Sequence, residues 1–171
     1  MNRETAKWVR KAEADWEVAH TLAGDIPPPR DIVCFHCQQA AEKYLKSLLQ
    51  ERGLVVPKTH ELSDIIDLLL PGDPTLVQLR RQGGSLTRYA VHYRYPGKMA
   101  NKRQMEAALR HVDQTAWYVA ASSIFRRRES RIGKRSWSFA TPFLIKSQTI
   151  ISDLRTFVQC STGRARGPLL C

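Results

Sequence analysis

Along the first 125 residues of this chain the apolar positions fall three and four apart, and no useful stretch alternates apolar with polar. A period near 3.6 belongs to a helix with one buried face, so the pattern confines the chain to packed helices. Trp8, Ala12, Trp16 and Ala19 mark the first such face, in a helix expected from Arg3 to Ala23 and ended by Gly24. Pro27, Pro28 and Pro29 then make a stiff connection, because each ring fixes its own φ. A second helix is expected from Asp31 to Arg52, closed by Gly53. Its apolar stripe is Cys34, Cys37, Ala41, Tyr44, Leu45, Leu48 and Leu49, and Glu42, Lys43, Lys46 and Glu51 sit off that stripe.

Thr59 is placed to accept orphan backbone N–H groups and so to cap a short helix carrying Leu62, Ile65, Ile66, Leu69 and Leu70, which Pro71-Gly72 stops. Asp73-Pro74 has the form of an N-cap with a first-turn proline and opens a helix through Leu76, Val77 and Leu79. Gly83-Gly84 is expected to break it. Residues 85–97 then read as a short helix running into a tight loop, since Pro96 disfavours helix at Tyr95. Asn101 and Gln104 have capping-box spacing and open a long helix to about Phe125, with Met105, Leu109, Val112, Ala116, Val119 and Ile124 facing the core. The expected fold class is all-α, an antiparallel up-and-down bundle of four to five helices followed by a C-terminal amphipathic helix.

Charge divides the chain where the bundle pattern stops. Residues 1–125 carry 17 Lys and Arg against 14 Asp and Glu, whereas residues 126–171 carry 10 against 2. The first part reads as a balanced globular domain. The second reads as a basic linker (126–135), an amphipathic helix at about 142–159 with Phe143, Leu144, Ile150, Ile151, Leu154, Phe157 and Val158, and a disordered end. So basic an extension suits RNA, DNA or an acidic protein surface, and equally a plain solvated tail. No run approaches the ~20 apolar residues of a membrane span, and the first residues hold no apolar signal core. A cytoplasmic protein with no membrane partner is expected, its Cys34, Cys37, Cys160 and Cys171 reduced.

Arg88, His92, Tyr93, Arg94 and Tyr95 form the most suggestive chemical cluster. Arg grips a phosphate with two parallel hydrogen bonds, His moves a proton near neutral pH, and Tyr offers a stacking face for a base. Arg88 and His92, four apart, share a helix face. The same residues also suit plain packing of the bundle end. Lys43 and Lys46, three apart, suit a phosphate or a solvated face in which Glu42 pairs with Lys46. His60 reads most simply as a polar residue in the first turn of its helix. Cys34 and Cys37 have zinc-like or redox-like spacing but sit within a helix without a second close pair, which favours core packing. Phosphate-loop and metalloprotease motifs are both missing, so neither a metal nor a cofactor is expected.

Four segments in order carry a family resemblance: Lys11-Ala12-Glu13-Ala14-Asp15-Trp16, then Cys34-Phe35-His36-Cys37-Gln38-Gln39-Ala40-Ala41-Glu42-Lys43-Tyr44-Leu45-Lys46, then Lys58-Thr59-His60-Glu61-Leu62, then Arg94-Tyr95-Pro96. Together they resemble the HEPN family, the higher-eukaryote and prokaryote nucleotide-binding helical domain, in its Arg-Tyr-Pro branch. The resemblance implies a helical bundle, often a homodimer, that binds nucleotide or RNA and pairs with a minimal nucleotidyltransferase in a toxin–antitoxin-type system. It implies as an alternative a metal-independent ribonuclease toxin. The family's ribonuclease motif, an Arg and a His with four to six residues between them, is not intact. Arg88 and His92 have three residues between them, Arg103 and His111 have seven, and Arg110 adjoins His111. If the chain is an enzyme, Arg88 and His92 are its candidate catalytic pair, with Arg94, Tyr95, Tyr93, Lys43 and Lys46 as candidate nucleotide or RNA contacts.

Overall fold

The structure, a computed structural model, describes residues 1–93 and 97–122. Every regular element among them is helical: α1 (Arg3–Ala23), α2 (Arg30–Glu51), α3 (Leu62–Leu69), α4 (Val77–His92) and α5 (Lys102–Ala121), with two single 3-10 turns, Leu70–Gly72 and Pro74–Leu76, between α3 and α4. The all-α bundle is therefore the observed fold. The basic linker and the amphipathic segment at about 142–159 lie outside the described residues.

Three contacts fix the up-and-down order. Asn2, which caps α1, donates to Glu51 (2.8 Å) and to Gln50 (3.3 Å) at the far end of α2. The Tyr118 hydroxyl, near the end of α5, donates to Asp73 (2.9 Å) just before α4. Ala100 N–H, just before α5, donates to Asp31 in the first turn of α2. So α1 and α2 run antiparallel, as do α4 and α5, and α2 runs alongside α5.

Helix α2 is the axis of this arrangement and packs against α1, α3, α4 and α5. The expected stripe of Cys34, Cys37, Ala41, Tyr44, Leu45, Leu48 and Leu49 is buried in full. A second stripe is buried beside it. Gln38, Glu42 and Lys46, spaced four apart, are also covered, Glu42 and Lys46 to within 5% of full burial. This corrects the expectation of a solvated Glu42–Lys46 face: the pair forms (2.9 Å), but inside the protein. The segment leading into α3 crosses over it. The carbonyl of Thr59 accepts from Lys46 (3.0 Å), that of His60 from Gln38 (3.3 Å), and the His60 ring meets Glu42 (3.1 Å). A side-chain pair that is worth little in water becomes here a buried, hydrogen-bonded network.

The expected break at Gly83-Gly84 is also corrected, since α4 runs unbroken from Val77 to His92. The cause is tertiary. A Cβ on Gly83 would lie 3.1 Å from both Leu62 Cβ and Ile66 Cδ1, so glycine is what lets α3 approach α4 this closely. Packing of that kind offsets the roughly 1 kcal/mol that each glycine costs a helix.

Smaller differences lie at helix ends. Thr59 does not cap α3. Its hydroxyl accepts from Glu61 N–H (3.1 Å) one residue before the helix, where Glu61 holds the cap position. Helix α5 ends at Ala121 rather than near Phe125, and Ala108, not Leu109, takes the fully buried place on its core face. The expected Asn101–Gln104 capping box is present in both directions (2.9 and 2.8 Å). Among the described residues no helix is long and apolar enough to cross a membrane.

Candidate functional site

Where α4 ends and α5 begins, the antiparallel pair leaves a cleft of about 610 Å³ lined by Arg88, Tyr89, Tyr93, Gly97, Lys98, Met99 and Gln104. That volume suits a small organic ligand. Each wall follows from local sequence. Arg88, Tyr89 and Tyr93 come off the last turns of α4, where Tyr89 and Tyr93, four apart, share one face. Tyr89 and Tyr93 stack with ring centroids 5.8 Å apart and planes 26° apart. Burial raises both phenols above the usual tyrosine range, so near neutral pH they are hydroxyls able to donate.

The opposite wall is the segment that enters α5. Gly97 has φ +99°, a conformation that favours glycine, and turns the chain back towards the bundle. The bond from Ala100 N–H to Asp31 then pins this segment to the start of α2. Gln104 occupies the third position of α5, and its Oε1 is held by Asn101 N–H, which leaves the amide NH2 as a donor with no partner among the described residues. The N-terminus of α5 adds the positive end of a helix dipole. The cleft thus combines an Arg, a Lys, an amide donor, two stacked rings and an exposed methionine, a set that suits an anion carrying a flat, partly apolar group.

Of the residues singled out from sequence, Arg88 and Tyr93 line the cleft. His92 is the last residue of α4, one turn beyond Arg88, and only its backbone is described. Arg94 and Tyr95 lie outside the described residues. Lys43 and Lys46 are elsewhere and otherwise engaged. Lys43 ion-pairs with Asp15, which also holds His36 (3.0 Å), and bonds Gln39 Oε1 (3.1 Å), while Lys46 belongs to the buried network. Tyr89, Lys98, Met99 and Gln104 are cleft residues that sequence reasoning missed. Gln104 has a signal, its place in the capping box, but only the antiparallel return of α5 shows that this end meets Arg88.

Cys34 and Cys37 are free, fully buried thiols. Burial pushes Cys34 up to about 12, and Cys37 is raised as well, so both are inert apolar contacts rather than thiolates. Among the described residues no group of His, Cys, Asp and Glu is placed to hold a metal ion.

The family model for the HEPN domain matches residues 5–116 of the chain, which include all of α2, α3 and α4 and most of α1 and α5. No curated protein and no solved structure matches it.

Proposed function

The chain belongs to the HEPN domain family, and on that premise we propose that it is a nucleotide- or RNA-binding interaction module whose ligand site is the α4–α5 cleft. The observation that carries this reading is the composition of the cleft. Arg88 and Lys98 supply charge for a phosphate, and the Tyr89–Tyr93 stack supplies a face for a base. Arg88→Ala should weaken AMP binding by about tenfold or more, the worth of a charged hydrogen bond at roughly 1.5–3 kcal/mol. Arg88→Lys should recover only part of it, because Lys keeps the charge without the two-pronged grip. Calorimetric titration that gave equal affinities for wild type and Arg88→Ala would remove the cleft as the site.

The continuity of α4 through His92 supports a second reading, since it sets His92 one turn from Arg88. A ribonuclease built on this pair would use His92 to take the proton of a ribose 2′-hydroxyl. The freed oxygen would bond to phosphorus as the bond to the 5′-oxygen breaks and that oxygen takes a proton from water, with Arg88 holding the charge that builds on the phosphate. Cleavage of single-stranded RNA that persists in EDTA and is lost in His92→Ala would make this the primary activity.

The module is proposed to act as a homodimer. Ile26 (98% exposed), Met99 (83%) and the half-exposed Ile32 leave large apolar side chains in water around the start of α2, an unusual cost for a monomer when such residues cluster. Light scattering at micromolar concentration should report twice the 19.5 kDa chain mass. A purely monomeric reading would sink the dimer. The proposed partner is a minimal nucleotidyltransferase, as in a toxin–antitoxin-type pair. Co-expression with the product of an adjacent reading frame should give a co-purifying complex, and the lack of one would remove this partner.

A further inference from the structure

Arg81 and Arg88 on α4 are seven residues apart, and so are Arg103 and Arg110 on α5. Seven residues is close to two full turns, so each pair shares one face of its helix, about 10 Å apart along the axis. These faces point away from the core. On α4 the buried positions are Leu79, Gly83, Leu86 and Thr87, and on α5 they are Met105, Ala108, Val112, Thr115, Ala116 and Val119. All four arginines are exposed, and none forms an ion pair among the described residues. The antiparallel register, set by the shared cleft at one end and the Tyr118–Asp73 bond at the other, brings Arg88 level with Arg103 and Arg81 level with Arg110.

One carboxylate stands among the four charges: Glu106, three residues after Arg103 and four before Arg110. Helix α4 contains no Asp or Glu between Val77 and His92. Helix α5 contains Glu106, which pairs with Lys102 (3.9 Å), and Asp113, which is turned to α1 and bonded by Trp16 (2.7 Å) and His20 (2.9 Å). Arg80, the other α4 arginine, is satisfied by Asp67 on α3 (2.8 Å). The result is a strip of arginines two turns long that leads, through Arg88, into the cleft with the stacked tyrosines.

We infer that the outer face of α4 and α5 is a track for the backbone of a single-stranded polynucleotide, with one end nucleotide seated in the cleft. This rests on the reading of the cleft as a nucleotide site. Charge selects a polyanion whose phosphates repeat along the strip, and Arg offers planar, bidentate contact to each. The tyrosine stack selects a single strand, because a base within a duplex is already stacked on its neighbours and has no free face.

The test uses the full chain, a dodecamer of oligoadenylate RNA, the same sequence as a duplex, and AMP. The double variant Arg81→Gln/Arg110→Gln leaves the cleft residues untouched. It should weaken dodecamer binding and flatten the plot of log affinity against log salt by about 1.4, at roughly 0.7 for each single-strand phosphate no longer neutralised. AMP binding should not change. Unchanged dodecamer affinity and salt slope alongside intact AMP binding would overturn the track and leave the cleft standing. Loss of AMP binding in wild type would instead overturn the nucleotide reading on which the track rests. Duplex binding as tight as single-strand binding would overturn the choice of a single strand.

Discussion

Glu42→Gln should cost the folded state about 3–5 kcal/mol, the usual penalty for breaking a buried ion pair from one side. The substitution keeps the shape but removes the charge opposite Lys46, whose ammonium is held at 2.9 Å in a nearly covered side chain. Urea unfolding should show the loss as a lower midpoint with an unchanged slope. The comparison Glu42→Leu/Lys46→Met should lose less than Glu42→Gln alone, since no charge is then left stranded. A Glu42→Gln loss under about 1 kcal/mol would mean that the pair is worth no more than an exposed one and is not sealed from solvent. The same pair sets a pH dependence. Burial pushes the Glu42 carboxyl up, but hydrogen bonds from Lys46, His60 and Gln38 and the Lys46 charge outweigh it, so the group titrates below the ordinary carboxylate range. A carboxyl depressed in the folded state stabilises fully above its unfolded value of about 4.3 and loses that contribution as pH falls through the folded value. The gap between wild type and Glu42→Gln should therefore be constant at neutral pH and narrow in acid.

Gly83 and Gly84 should respond in opposite directions. A side chain at Gly83 meets Leu62 and Ile66 at 3.1 Å, and Gly83→Val should lose about 1–3 kcal/mol by overpacking the α3–α4 contact. Nothing lies within 4 Å of a Cβ at Gly84, so Gly84→Ala should gain about 0.5–1 kcal/mol by removing a glycine from a helix interior. Thermal unfolding of the two variants beside wild type reads both signs. Equal effects at the two positions would contradict the close approach of α3.

These two sites also show where sequence stops informing. The faces of α1, α2 and α5 are legible because periodicity is local and burial follows it, and the Asn101 cap is legible because a capping box is complete within four residues. The continuity of α4 is not, because glycine propensity is a small local cost and the contact that overrides it comes from Leu62 and Ile66, elsewhere in the chain. Glu42 and Lys46 mislead for a related reason. A Glu and a Lys four apart are the usual mark of a wet helix surface, and the crossing of the Thr59–His60 segment, with the Trp8 ring over the Lys46 ammonium, dries it. In the cleft, Arg88 and Tyr93 can be named from residue chemistry. Lys98 and Gln104 cannot, because what makes them site residues is the return of α5 beside α4.

The central place of α2 has a consequence for how the domain comes apart. Its neighbours α1, α3, α4 and α5 all pack against it, and the network from Gln38 to Lys46 holds the α3 entry segment to it as well. Any opening that frees α2 exposes the inner faces of all of them at once, that of α1 most of all, since its packing against α2 is the most extensive in the domain. Cooperativity is thus unevenly shared. Partial unfolding can begin at the periphery, but the event that separates α2 from its surroundings is the global one, and in this bundle local and whole-domain stability coincide only along that one helix.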